Sequence, residues 1–127
     1  MIVGVDTSKE YKCSLYIYKN DILPLYKTVA SVILKIKAST VYRGGYFNIN
    51  SQEVYCGGTG SYLTIDITSR YKNAGGNFTL ELLPSNKGYE NGAGDFKFSA
   101  DGENAPILEI EYITNENVRP TKKEFSL

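Results

Sequence analysis

The strongest constraint on this chain is a step of two. Apolar and polar residues alternate in short runs, and no run repeats at the spacing of a helix. In "KCSLYIY", Cys13, Leu15 and Ile17 fall on one side of an extended chain and Ser14, Tyr16 and Tyr18 on the other. "SVILKIKAS" sets Val32, Leu34, Ile36 and Ala38 against Ile33, Lys35 and Lys37. "SYLTIDIT" sets Leu63, Ile65 and Ile67 against Tyr62, Thr64 and Asp66, and "NFTLELL" sets Phe78, Leu80 and Leu82 against Thr79, Glu81 and Leu83. "DFKFSA" adds Phe96 and Phe98, and "APILEIEY" adds Leu108, Ile110 and Tyr112, with Glu109 and Glu111 facing water.

Breakers such as "KNAGG" and "PSNKG" follow these runs. Half-buried alternating strands joined by Gly, Asn and Pro turns predict an all-β fold, an antiparallel, jelly-roll-like β-sandwich. One place reads as helical. In "DITSRYKNAGG", Thr68 or Ser69 caps a turn or two and the glycine pair ends it, so a short connecting helix is expected near 68–73. Residues 1–113 form one domain in this reading, and 114–127, polar and without alternation, form a C-terminal tail.

Composition narrows the chemistry. The 127 residues suffice for one core. Fourteen basic and fourteen acidic residues cancel, so no global field attracts nucleic acid or an anionic membrane. The first residues, "MIVGVDTSKEYK", have no signal-peptide pattern and no apolar stretch reaches membrane-spanning length, which predicts a soluble protein without membrane insertion. With no histidine and only Cys13 and Cys56, a zinc site or a Cys–His nucleophile cannot be assembled. The two cysteines are expected as free thiols, a disulfide being the alternative in an oxidising compartment.

Tyrosine supplies the candidate surface: eleven residues, with no tryptophan. Tyr16 and Tyr18 share one outward strand face, Tyr62 faces outward on another, and Tyr42, Tyr46 and Tyr89 lie in or beside loops. Such rings serve protein interfaces, and they also stack on sugars. Glu90, Asp95, Asp101 and Glu103 form an oxygen-rich set that is a weak calcium candidate, since the EF-hand spacing is absent. "YCGGTGSY" lacks the Gly-Lys-Ser/Thr ending of a phosphate loop and reads as a hairpin. Asp66 and Glu81 could in principle do acid–base work, but both sit on faces expected to be wet, where nothing shifts a pKa. No enzyme activity and no cofactor are expected.

The order of "YKCSLYIYKNDI", "SVILKIKAS", "YLTIDITSRYKNAGGNFTLELL" and "FKFSADGENAPILEIEY" resembles that of the DNRLRE-type domains, some of which are grouped as carbohydrate-binding modules. The resemblance runs from about Val3 to Tyr112 and implies a jelly-roll-like sandwich of extracellular and surface proteins. It departs from the family at Ser99, Ala100 and Asp101, where a serine, a basic residue and a glutamate are usual. Family domains also carry a first strand ahead of the part matching "IVGVD", where this chain begins. A missing strand would leave a sheet edge open to another chain.

Two functions follow as expectations. The first is a non-enzymatic structural, assembly or adhesion module, displayed on a microbial or phage particle and bound to neighbouring protein subunits. A phage particle component needs no export signal, which favours this reading. The second is a module that recognises a polysaccharide through surface tyrosines.

Overall fold

Where the sequence alternates, the computed structural model buries one side of each run. It describes residues 1–5, 10–19, 28–42, 44–89, 94–98, 104–113 and 121–126. In chain order the strands are β1 (Ile2–Val5), β2 (Glu10–Tyr11), β3 (Cys13–Ile17), β4 (Thr28–Ile36), β5 (Ala38–Tyr42), β6 (Gly45–Ile49), β7 (Gln52–Cys56) and β8 (Leu63–Asp66). The helix α1 (Thr68–Asn73) follows, and then β9 (Phe78–Tyr89), β10 (Gly94–Phe98), β11 (Ile107–Ile113) and β12 (Thr121–Ser126).

These strands make three antiparallel four-stranded sheets. Sheet I has the order β2-β1-β10-β5, sheet II β3-β9-β6-β7 and sheet III β12-β11-β4-β8. The architecture is the expected all-β sandwich. Sheets I and III share one bent strand: β4 and β5 are separated only by Lys37, and β10 and β11 pair with its two halves, Phe98 opposite Ala38 and Ile107 opposite Lys35.

The inward sets predicted from the alternation meet in one core. Across sheet III, Phe125, Leu108, Leu34 and Ile65 stand opposite one another in a single row. Sheet II contributes Leu15 opposite Leu80 and Ile17 opposite Phe78. Phe47 of sheet II closes the layers, its ring 5.5 Å from Phe96 and 5.6 Å from Phe98 of sheet I. Burying side chains of this size is worth about 1.5–3 kcal/mol each, which is why the alternation dictates the register.

Two expectations need correction. Thr121–Ser126 is not tail but strand, paired along β11, with Phe125 opposite Leu108 and packed against the core. The alternation there is masked because Lys123, exposed itself, takes the core-side register position opposite buried Ile110. The helix stands at 68–73 as predicted, but neither Thr68 nor Ser69 is its N-cap. That position belongs to Ile67, which has no side-chain cap bond. Asp66 Oδ1 instead accepts from the Thr68 amide at 2.9 Å and the Thr68 hydroxyl at 2.6 Å. Thr68 Oγ1 is thereby held to accept the Val32 amide of β4 at 2.9 Å, which ties the helix to sheet III.

The other end of α1 is fastened by Lys19, just beyond β3. Its ammonium donates to the carbonyls of Tyr71 and Ala74, both at 2.6 Å, and stands 4.9 Å over the Tyr71 ring. The side chain reaches the negative end of the helix, where it adds to the long 3.4 Å bond that the Tyr71 carbonyl accepts from the Ala74 amide. Burial, at 5% exposure, lowers its pKa from the ordinary lysine range. Among the described residues no helix is long and apolar enough to cross a membrane.

Candidate interaction surface

In sheet II the residues that alternate with the core set face outward. Tyr16 lies opposite Thr79 and Ser14 opposite Glu81. Leu83 lies opposite Asn48, Asn48 opposite Glu53, and Tyr46 opposite Tyr55. Among the described residues the exposed large hydrophobics are Tyr18 and Tyr55 at 51%, Tyr16 at 46% and Leu83 at 36%. All four belong to this one outward face.

The tyrosines on it form two pairs. Tyr16 and Tyr18 meet edge to face, centroids 4.7 Å apart and planes at 63°. Tyr46 and Tyr55 lie 5.3 Å apart at 59°. Two strands separate β3 from β7, and the pairs are offset by about six residues along the strands, so they stand more than about 20 Å apart. Tyr55 was not among the expected residues, although its place directly opposite Tyr46 across a short hairpin is a signal that cross-strand pairing supplies. Its ring lies over Gly57, where a Cβ would stand 2.9 Å from the Tyr55 hydroxyl.

Tyr62 is elsewhere, half-buried beside sheet III with the Lys37 ammonium 5.4 Å over its ring. The backbones of Tyr42 and Tyr89 are placed in β5 and β9, while their side chains lie outside the described residues. Of the calcium candidates, Glu90, Asp101 and Glu103 lie outside the described residues, and Asp95 is described only as backbone in β10.

Between the two tyrosine pairs a depression of about 160 Å³ is lined by Lys12, Cys13, Ser14, Glu81 and Leu83. This is smaller than the roughly 300–1,000 Å³ of small-molecule sites. Burial pushes the Cys13 thiol up from the ordinary cysteine range, and burial does the same to Cys56 against the opposing effect of its bond with Gly58. Both cysteines are free. They sit on the two edge strands of sheet II, three strand spacings of about 14 Å in all and four residues out of level, well beyond the roughly 7 Å that a disulfide spans.

The carboxylates weighed for catalysis are apart, Asp66 on sheet III and Glu81 on sheet II. Contrary to expectation, a pKa is shifted on the wet face: the Thr68 hydroxyl, and then its amide, hold the Asp66 carboxyl below the usual range. That direction suits a structural acceptor and opposes a general acid at neutral pH. Compared with family models, with curated proteins and with solved structures, the chain matches none.

Proposed function

We propose that this chain is a non-enzymatic assembly or adhesion module that binds neighbouring protein subunits, displayed on a microbial or phage particle surface. The observation that carries the reading is the gathering of Tyr16, Tyr18, Tyr55 and Leu83 on the outward face of sheet II. Tyrosine is enriched at protein interfaces, where a rigid ring brings large apolar area and a hydroxyl at low conformational cost. Each Å² of apolar surface removed contributes roughly 25 cal/mol before association costs. The order of strand motifs resembling the DNRLRE-type domains supports surface display.

Polysaccharide recognition is the second reading, and the ring geometry disfavours it. A sugar stacks on a flat aromatic face, whereas neither tyrosine pair is coplanar, the pairs are far apart, and Tyr62 lies beside another sheet.

Light scattering over a concentration series, run beside a glycan array, separates the two. The assembly reading expects concentration-dependent mass that falls in Tyr18→Ala and in the double variant Tyr55→Ala/Leu83→Ser, with a blank array. A constant protomer mass, together with glycan binding abolished in Tyr16→Ala, Tyr18→Ala or Tyr62→Ala, would reverse the assignment.

A further inference from the structure

We infer that the outer edge of β3 is a pairing edge for a second copy of this chain, joining two sheets II across a two-fold axis at Leu15. The inference rests on the assembly reading and names its partner.

A sheet edge carries unpaired amides and carbonyls and must be defended if it is to stay single. Most edges of this fold are. β12 carries Lys122, Lys123 and Glu124, with Lys123 in the inward-facing position that resists a neighbouring strand. β8 has four residues, and the Asp66 carbonyl at its end accepts the Gln52 side-chain amide at 2.8 Å. β7 opens with Gln52 and Glu53, the second of them charged.

β3 shares with β5 the lack of any charge or proline, here from Cys13 to Tyr18, and it adds Tyr16, 46% exposed, on its outward face; among the described residues no strand pairs with its outer edge. The run through β2 and β3, from Glu10 to Ile17, is also the edge of both sheets I and II.

The sequence of this edge is complementary to itself when antiparallel. With Leu15 opposite its counterpart, Cys13 meets Ile17 of the second copy, so the core-side face is apolar throughout. On the outward face Ser14 meets Tyr16 of the second copy, and Lys12 meets Tyr18. An ammonium beside a tyrosine ring is a favourable neighbour, and among the described residues the ion contact of Lys12 is one of 4.0 Å with Glu10, both well exposed. No like charges face each other in this register, and a net charge of zero leaves two copies without long-range repulsion.

Sedimentation equilibrium of three proteins tests this. The wild type is expected to reach twice the 14.1 kDa protomer mass as concentration rises. Ser14→Lys/Tyr16→Lys sets lysines opposite each other twice across the axis, at positions exposed in the protomer, and should weaken association at least about tenfold. Ser14→Glu/Tyr16→Lys removes the same side chains but sets opposite charges face to face, and should restore the dimer to within a few fold of wild type.

A wild type that stays at the protomer mass, or a dimer indifferent to the double lysine variant, overturns the inference. A dimer that responds only to Tyr55→Ala/Leu83→Ser also overturns it while leaving the assembly reading intact. Glycan binding through the tyrosines would overturn the assembly reading itself.

Discussion

Lys19 is the residue on which the helix and a strand depend together. It follows β3 directly, so its two bonds to the carbonyls of Tyr71 and Ala74 pin the end of an edge strand to the end of α1. Lys19→Met keeps most of the apolar stem and removes the charge, taking one donor from the Ala74 carbonyl and leaving the Tyr71 carbonyl with the Ala74 amide alone. Urea unfolding should register a loss of about 2–3 kcal/mol. In the sequence Lys19 looks like any solvated lysine in a turn, because a helix end more than fifty residues away is what makes it structural.

Lys35 and Glu109 make a second charge contact, at 2.7 Å on the outward face of sheet III, with Glu124 at 3.7 Å from the same ammonium. Hydrogen bonding to Lys35 holds the Glu109 carboxyl below the usual glutamate range, and the bond with Glu109 raises Lys35 above the ordinary lysine value. The Glu109 contribution is therefore present above the ordinary glutamate pKa and is lost as pH falls through the lowered one. The Lys35 contribution is present below the ordinary lysine pKa and is lost as pH rises through the raised one. Both side chains are partly exposed, so the pair is worth at most about 1 kcal/mol. Glu109→Gln should lower stability by that amount at pH 7, with the difference from wild type vanishing in acid. Alternation puts Glu109 on the outward face, but only the pairing of β11 with β4 and β12 brings both partners to it.

Among the elements, the β6–β7 hairpin gives the clearest local test. Its two central residues, Asn50 and Ser51, have φ of 48° and 70°, as two-residue hairpin turns require. Serine adopts that region at a cost that glycine escapes. Ser51→Gly should thus stabilise the protein by about 0.5–1 kcal/mol, read as a higher midpoint in urea.

The elements also separate what sequence can and cannot convey. β3, β4, β8 and β11 were legible because large apolar residues alternate against polar ones, so burial and periodicity agree. β12 was hidden by the lysine at an inward-facing position that keeps it a solvent-compatible edge. β2, with two residues, is too short to show a period at all. For the candidate surface, alternation puts Tyr16 and Tyr18 on one face but does not tell that Tyr62 lies beside another sheet. Which strand neighbours which is decided by long-range pairing, which one strand's pattern does not encode.

At the scale of the molecule, three sheets enclose one core, and the bent β4–β5 strand carries two of them. The remaining freedom lies in the outer faces and edges. Sheet III spends its outward face on ion pairs within the chain, while sheet II keeps its exposed tyrosines and Leu83 beside the uncharged edge of β3. That asymmetry is what ties the fold to association.

Amide hydrogen exchange followed from dilute to concentrated protein tests it most directly. Self-pairing predicts that alternate amides of Cys13–Ile17, those pointing out of the sheet, become protected as concentration rises, while the outward amides of β12 do not. Amides in β3 that exchange at the same rate across the whole series would contradict pairing at this edge.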